Sequence, residues 1–274
     1  MEDAAENLIK ETEEKPFDMV SYMDDLSNCL CGLVDQVDDV SYNKNGDFIG
    51  LIRGDNIVAS FYPVVKLNSV INDTASNLFM AGTLAYIISK TTELEQSEEL
   101  LYDSIDALKV AVRKDRHNYL NWKGLGDSLG ELYTVLMEIP EHEDPEEGEA
   151  IDMEKLIAKS EQAYRRALKI HEKKEPDKRH DEQRVNILTG LGFCKYQQKK
   201  FYVAMDYFKK ALKIDGKNDV IRVNMGQCYL ALSKNGNSNE MKTEAVKWFT
   251  EANKTYQDPD LQTKIDEIKS SIES

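Results

Sequence analysis

Along most of this 274-residue chain apolar residues recur every three or four positions, the spacing that gives a helix one buried face. Met1 to Pro16 is polar and acidic and is expected to be a disordered tail, since it cannot bury enough apolar surface to offset its ordering entropy. From Phe17 to Val40 the residues Met19, Val20, Met23, Leu26, Leu30, Leu33, Val34 and Val37 predict an amphipathic helix with an acidic outer face. Between Ser41 and Leu67 the pattern changes. DFIGLI and NIVASFY, next to the turn signals Asn45-Gly46 and Gly54-Asp55, read as a small β-hairpin, with a short helix pair as the competing reading. Helical periodicity resumes near Ala75, and the last stretch places Leu261, Ile265, Ile268 and Ile272 on one face.

The clearest unit is Val185 to Asn218, with Leu188, Leu191 and Gly192 in a first apolar run, Ala204, Phe208 and Ala211 in a second, and Gly216 at its close. Gly192 and Ala204 are twelve residues apart, and the same landmarks recur at Gly82 and Ser104, Gly126 and Ser160, and Gly226 and Ala245. Those spans are longer by ten, twenty-two and seven residues, which the sequence places in SKTTELEQSE, EIPEHEDPEEGEAIDMEK and SKNGNSNE. The landmarks and the 34-residue length of the third unit resemble the tetratricopeptide repeat (TPR) pattern W-x2-L-G-x2-Y, A-x3-F, A and a closing turn. The resemblance implies an all-α, TPR-like solenoid of about four helix hairpins with an N-terminal helical subdomain and a C-terminal capping helix.

The expected organisation is an acidic tail (1–16), a capping subdomain (17–74), four repeats (75–118, 119–184, 185–218 and 219–259) and a capping helix (260–274). An acidic insert of about 138–154 interrupts the second repeat. The mid-helix glycines each cost about 1 kcal/mol against alanine, which close approach of a partner helix with a small residue at Ala204 or Ser160 would offset.

Charge adds polarity to this picture. The net charge of −15 argues against nucleic acid and anionic membrane as partners. Residues 1–70 carry 14 acidic and 5 basic residues, 138–154 carry 9 acidic and none basic, and 155–218 carry 17 basic against 8 acidic. No apolar run is long enough to span a membrane, and MEDAAENLIKETEEK is acidic where a leader would be basic. A cytoplasmic or nuclear location is therefore expected. Cys194 and Cys228 each follow a repeat glycine by two residues and read as buried thiols, and Cys29 and Cys31 lack the second ligand pair of a metal site.

No enzyme motif emerges. His117, His142, His171 and His180 have no catalytic partner at recognised spacing, and there is no phosphate-binding loop, so neither catalytic residue, metal nor cofactor is expected. The resemblance instead implies a binding scaffold whose specificity lies on the inner face of each first helix. At helical spacing the candidates there are Phe79 and Thr83, Lys123 and Asp127, Asn186, Thr189, Phe193, Tyr196 and Gln197, and Val223 and Gln227. TPR domains that hold acidic chaperone tails use a clamp of Lys, Asn and Arg. Here Lys123 fits, but Asp127, Gly190, Val220 and Asn224 replace the rest, so that clamp is absent. The expected function is a non-enzymatic adaptor for a peptide or helix segment of a partner protein. The alternative is an acidic chaperone for a basic client such as histones, loosely similar in organisation to interrupted-TPR histone chaperones.

Overall fold

The computed structural model describes residues 74–139, 151–173, 178–234 and 238–273. The acidic tail, the 17–40 helix, the 41–67 hairpin, Cys29, Cys31 and most of the acidic insert, on which the basic-client reading rests, lie outside the described residues.

Every element among the described residues is a helix: α1 (Ala75–Ser89), α2 (Leu94–Lys114), α3 (Tyr119–Glu138), α4 (Met153–His171), α5 (Lys178–Gln197), α6 (Phe201–Ile214), α7 (Asp219–Ser233), α8 (Ser238–Tyr256) and α9 (Pro259–Glu273). Helices α1/α2, α3/α4, α5/α6 and α7/α8 pack as antiparallel hairpins. The first helices α1, α3, α5 and α7 also touch in succession, so they form one layer and the second helices the other. This is a solenoid, in which each unit buries its apolar face against its neighbours.

Local chemistry sets the helix starts. Thr74, Asn118, Asp152 and Asn218 are N-caps whose side chains accept hydrogen bonds from the first-turn N–H groups of Asn77, Leu120, Lys155 and Ile221. The tight α5–α6 turn is made by Lys199, at φ 59°, with Lys200 N–H donating to Lys195 O at 2.9 Å and Lys199 N–H to Tyr196 O at 2.8 Å. That is a Schellman motif with lysine where glycine is usual.

The core is a relay. Leu101, Leu108, Leu125 and Leu132 join α2 to α3; Ile157, Tyr164, Ile187 and Leu191 join α4 to α5; Leu188, Phe208, Ile221 and Met225 join α5, α6 and α7. Ala245, Phe249, Ile265 and Ile268 seal α9 onto α8. The apolar side of α9 thereby covers the last hairpin while its other side carries charge.

Two sequence expectations need correction. The extra residues do not simply sit in loops. Helix α3 runs twelve residues past Gly126 where α5 runs five past Gly192, and α2 starts ten residues before Ser104 where α6 starts three before Ala204. Much of each insertion therefore lengthens helices. The glycines, likewise, do not chiefly accommodate small residues. A Cβ on Gly192 would lie 2.3 Å from Phe208 Cε1, on Gly226 2.6 Å from Phe249 Cε1, on Gly82 2.6 Å from Leu108 Cγ and on Gly126 3.0 Å from Tyr164 Cδ1. Each glycine admits the large residue one turn after the small one on the second helix.

The small residue has its own role in the first two repeats. Ser104 Oγ donates to Gly82 O and Ser160 Oγ to Gly126 O, both at 2.7 Å and fully buried. Ala204 and Ala245 fill the same place in the third and fourth. Ser160→Ala is expected to lower stability by ~1 kcal/mol, read as a shift in urea midpoint at constant slope. No shift would mean that this bond contributes nothing net.

Candidate functional site: the concave face

Succession of α1, α3, α5 and α7 brings their inner faces together along one surface. Its centre is organised by a side chain from the outer layer. Tyr164 of α4 reaches inward past Gly126 of α3 and Gly190 of α5, where an added Cβ would lie 3.0 Å and 2.3 Å from its ring. There its hydroxyl donates to Asp127 Oδ1 at 2.7 Å, and Lys123 Nζ donates to Asp127 Oδ2 at 3.0 Å. Burial, with the Asp127 charge beside it, pushes the Tyr164 phenol well above its usual pKa, so it remains a donor. The carboxylate is committed on both oxygens, and Lys123 to it.

Two cavities flank this cluster. The N-terminal one lies among Phe79, Thr83, Tyr86 and Ile87 of α1, Leu108 of α2, Leu120, Lys123, Gly124, Asp127 and Ser128 of α3, and Gln183 of α5. Burial pushes the Tyr86 phenol up to about 12, and Lys90 bonds Glu131 at 3.1 Å, bridging α1 to α3 at the rim. The C-terminal cavity, of about 270 Å³, lies among Phe193, Tyr196 and Gln197 of α5, Phe208 of α6, and Asn224 and Gln227 of α7.

The sequence candidates divide between them. Phe79, Thr83, Lys123 and Asp127 line the first, and Phe193, Tyr196, Gln197 and Gln227 the second. The other three stand apart. Asn186 is exposed, the Thr189 hydroxyl donates to Val185 O within its own helix at 2.9 Å, and Val223 packs against the α8–α9 cluster. Reading first-helix positions misses Tyr164, which belongs to a second helix, and Gln183, which precedes the Val185 start of the third unit.

Behind this surface Glu161 ties α4 to α5. It accepts from Lys195 Nζ at 2.6 Å, Gln198 Nε2 at 2.7 Å and Arg165 Nε at 2.6 Å. Burial alone would raise its pKa, but these three donors reverse that and hold it at about 2. A carboxylate with a depressed folded pKa stabilises the fold above its unfolded pKa of about 4.3, and that contribution is lost as pH falls toward the folded value. Wild type should therefore exceed Glu161→Gln in melting temperature at pH 7, with the gap closing between about pH 4.5 and 2. A gap constant with pH would mean the network stabilises by packing alone. Cys194 and Cys228 are buried, and burial pushes both thiols up to about 12, so neither is a nucleophile at neutral pH. Among the described residues no cluster of His, Cys, Asp and Glu could hold a metal, and no helix is long and apolar enough to cross a membrane.

No protein-family model matches the chain, and no curated protein does. Among solved structures it is similar to TTC0263, a thermophilic TPR protein of Thermus thermophilus, with a TM-score of 0.50, 14% identity and coverage of 77% of this chain and 90% of that one. It is equally similar to YrrB, described as a TPR protein with an unusual peptide-binding site, with a TM-score of 0.50, 14% identity and coverage of 80% and 89%. The fold is a TPR solenoid. At 14% identity the likeness is one of architecture, and the TPR hairpins here are irregular, with helices lengthened in the first, second and fourth repeats.

Proposed function

We propose that this chain is a non-enzymatic TPR adaptor that holds an extended or helical segment of a partner protein along its concave face. The observation that carries the reading is convergence: eight of the eleven first-helix positions expected from the sequence, drawn from four repeats, line two cavities on one surface, mixing aromatic rings with amide and hydroxyl groups. Such a lining offers apolar contact area together with a few orienting hydrogen bonds. The TPR fold, and the peptide-binding site described for YrrB, support the same reading by analogy of architecture.

Photo-crosslinking tests it directly. A benzoyl-phenylalanine placed at Tyr196 or Gln227, both in the C-terminal cavity, should capture a partner. The same probe at Tyr102, exposed on the outer helix α2, should not. Crosslinks from Tyr102 with none from Tyr196 or Gln227 would move the interaction to the outer layer.

A further inference from the structure

The outer helices carry charge unequally. Helices α4 and α6 together hold eight basic residues against three acidic, whereas α2 holds three against five and α8 three against three. The pairing differs as well. On α2 and α8, Lys109 bonds Asp106, Lys247 bonds Glu244 and Lys254 bonds Glu251. On α4 and α6, Lys159, Arg166, Lys169, Lys209, Lys210 and Lys213 are all exposed, and none has an ion-pair partner among the described residues. Lys209 and Lys213 stand four residues apart, as do Arg165 and Lys169, and like charges at that spacing destabilise a helix. Attraction to the negative end of the helix dipole favours Lys169 and Lys213 in the last turns, but it fades within one turn and leaves Lys159, Arg166, Lys209 and Lys210 without that support.

The two helices form one surface. Leu168 of α4 and Tyr207 of α6 are half-buried, and each packs against both adjoining core clusters. Lys210 Nζ sits 5.3 Å from the centre of the Tyr207 ring, and Arg165 of α4 lies within electrostatic reach of the same side chain. An anionic occupant of this surface must be short. The neighbouring outer helices carry Glu99 and Asp106 on α2 and Glu244 and Glu251 on α8, and the net charge of −15 repels a polyanion that runs past the patch, as a nucleic acid would. The chain's own acidic insert falls short of it. The eleven residues between Ile139 and Ile151 extend at most roughly 18 Å out and back, whereas Lys169 lies about 24 Å along α4 from Met153, where that helix begins.

We infer that the outer face of α4 and α6 is a second interaction surface, which takes a short acidic segment of a partner protein. It belongs to the outer layer and does not depend on the concave-face reading. Carboxylates of the segment pair with cations that the fold leaves open, and Tyr207 and Leu168 supply apolar contact between them. Exposed charges of this kind act on association rate and salt dependence more than on tight binding, so the affinity is modest and falls steeply with ionic strength.

The test is selection of a displayed random-peptide library on the full-length chain at low salt, followed by binding measurements with synthetic peptides from the winners. One class of winners should be rich in Asp and Glu. Its affinity should fall by about tenfold or more between roughly 50 and 300 mM NaCl. The double variant Lys209→Glu, Lys210→Glu should weaken it by about tenfold or more, and Phe193→Ala, on the concave face, should not change it. Lys247→Glu, Lys254→Glu makes the same change in net charge on α8 and should leave affinity within about twofold of wild type. All four lysines are exposed, so both double variants should keep a Tm close to wild type, and Lys209→Gln, Lys210→Gln should give a smaller loss in the same direction. Winners without an acidic class, acidic peptides that bind both double variants alike, or tighter binding of a single- or double-stranded oligonucleotide than of the acidic peptides would overturn the inference. Acidic peptides lost in Phe193→Ala but kept in Lys209→Glu, Lys210→Glu would assign them to the concave face and overturn it as well. So would acidic peptides that bind only after the acidic residues of 1–70 are changed to amides, since the surface would then belong to the chain's own N-terminal stretch.

Discussion

Gly192→Ala is expected to lower Tm by about 4–8 °C, although alanine is the better helix former. Two effects oppose each other. Alanine in a helix interior gains about 1 kcal/mol over glycine. The new Cβ, however, would lie 2.3 Å from Phe208 Cε1 and 2.7 Å from Cδ1 and Cζ, well inside ordinary contact. Phe208 is 1% exposed, enclosed by the α5–α6–α7 core, so the ring has no free space to swing into. Overpacking of this kind costs about 1–3 kcal/mol, toward the upper end where the obstacle is a buried ring, and it outweighs the propensity gain. Gly130→Ala is the control of opposite sign. There the nearest side-chain atoms are Ser160 Oγ at 3.4 Å and Phe193 Cε1 at 3.6 Å, so propensity dominates and Tm should rise slightly. Phe208→Leu should partly rescue Gly192→Ala. If both glycine variants moved Tm in the same direction, the placement of Phe208 against α5 would be wrong.

The landmark glycines also show how far the residue pattern reaches. Gly82, Gly126, Gly192 and Gly226 stand out by their spacing to Ser104, Ser160, Ala204 and Ala245, and the solenoid follows from that register. The residue each glycine makes room for lies four positions further on, at Leu108, Tyr164, Phe208 and Phe249. A one-turn step along the second helix leads from the small contact to the large one, so this feature is implicit in the same pattern. The extension of α2 is not legible, for a physical reason. SKTTELEQSE, whose last five residues open α2, is polar, as loops are. Exposed helical turns are polar too, and Glu, Lys and Gln are good helix formers, so composition does not separate the two. The extension of α3 differs: LYTVLME is mostly apolar, and Val135 and Leu136 pack against the α2–α3 core.

At the site, periodicity along the first helices suffices to find residues whose side chains point inward from a regular position. It cannot find groups whose role depends on a third element. Thr189 shares a helical face with Phe193 and Tyr196, yet its hydroxyl is consumed by Val185 O one turn back. Gln183 lies in HEKKEPDKRHDEQR, where charge is the dominant signal, and only the early start of α5 turns it toward α1 and α3.

Tyr164 is where core and groove meet, and its two truncations should separate the contributions. Tyr164→Ala removes a 5% exposed ring held between Gly126 and Gly190, and should cost about 3–5 kcal/mol, the range for deleting a buried aromatic. Glycine neighbours cannot reach into the vacated space, which favours the upper half. Tyr164→Phe keeps the ring and removes the bond to Asp127 Oδ1. A hydrogen bond to a charged acceptor contributes about 1.5–3 kcal/mol when buried, and Asp127, at 17% side-chain exposure, can recover part of that from water, so about 1 kcal/mol is expected. The functional effect should run the other way in proportion. With one oxygen of Asp127 released, Lys123 is no longer held by a carboxylate fixed from both sides, and the wall shared by the cavity and the cluster loosens. Peptide affinity at the concave face should therefore fall in Tyr164→Phe by more than its small stability loss accounts for, since the protein remains folded under assay conditions. A double-mutant cycle with Asp127→Asn checks the origin: the two changes should be clearly non-additive in denaturant midpoint. Additivity would mean that the hydroxyl and the carboxylate act independently, and that the link from the outer layer to the groove runs through the ring alone.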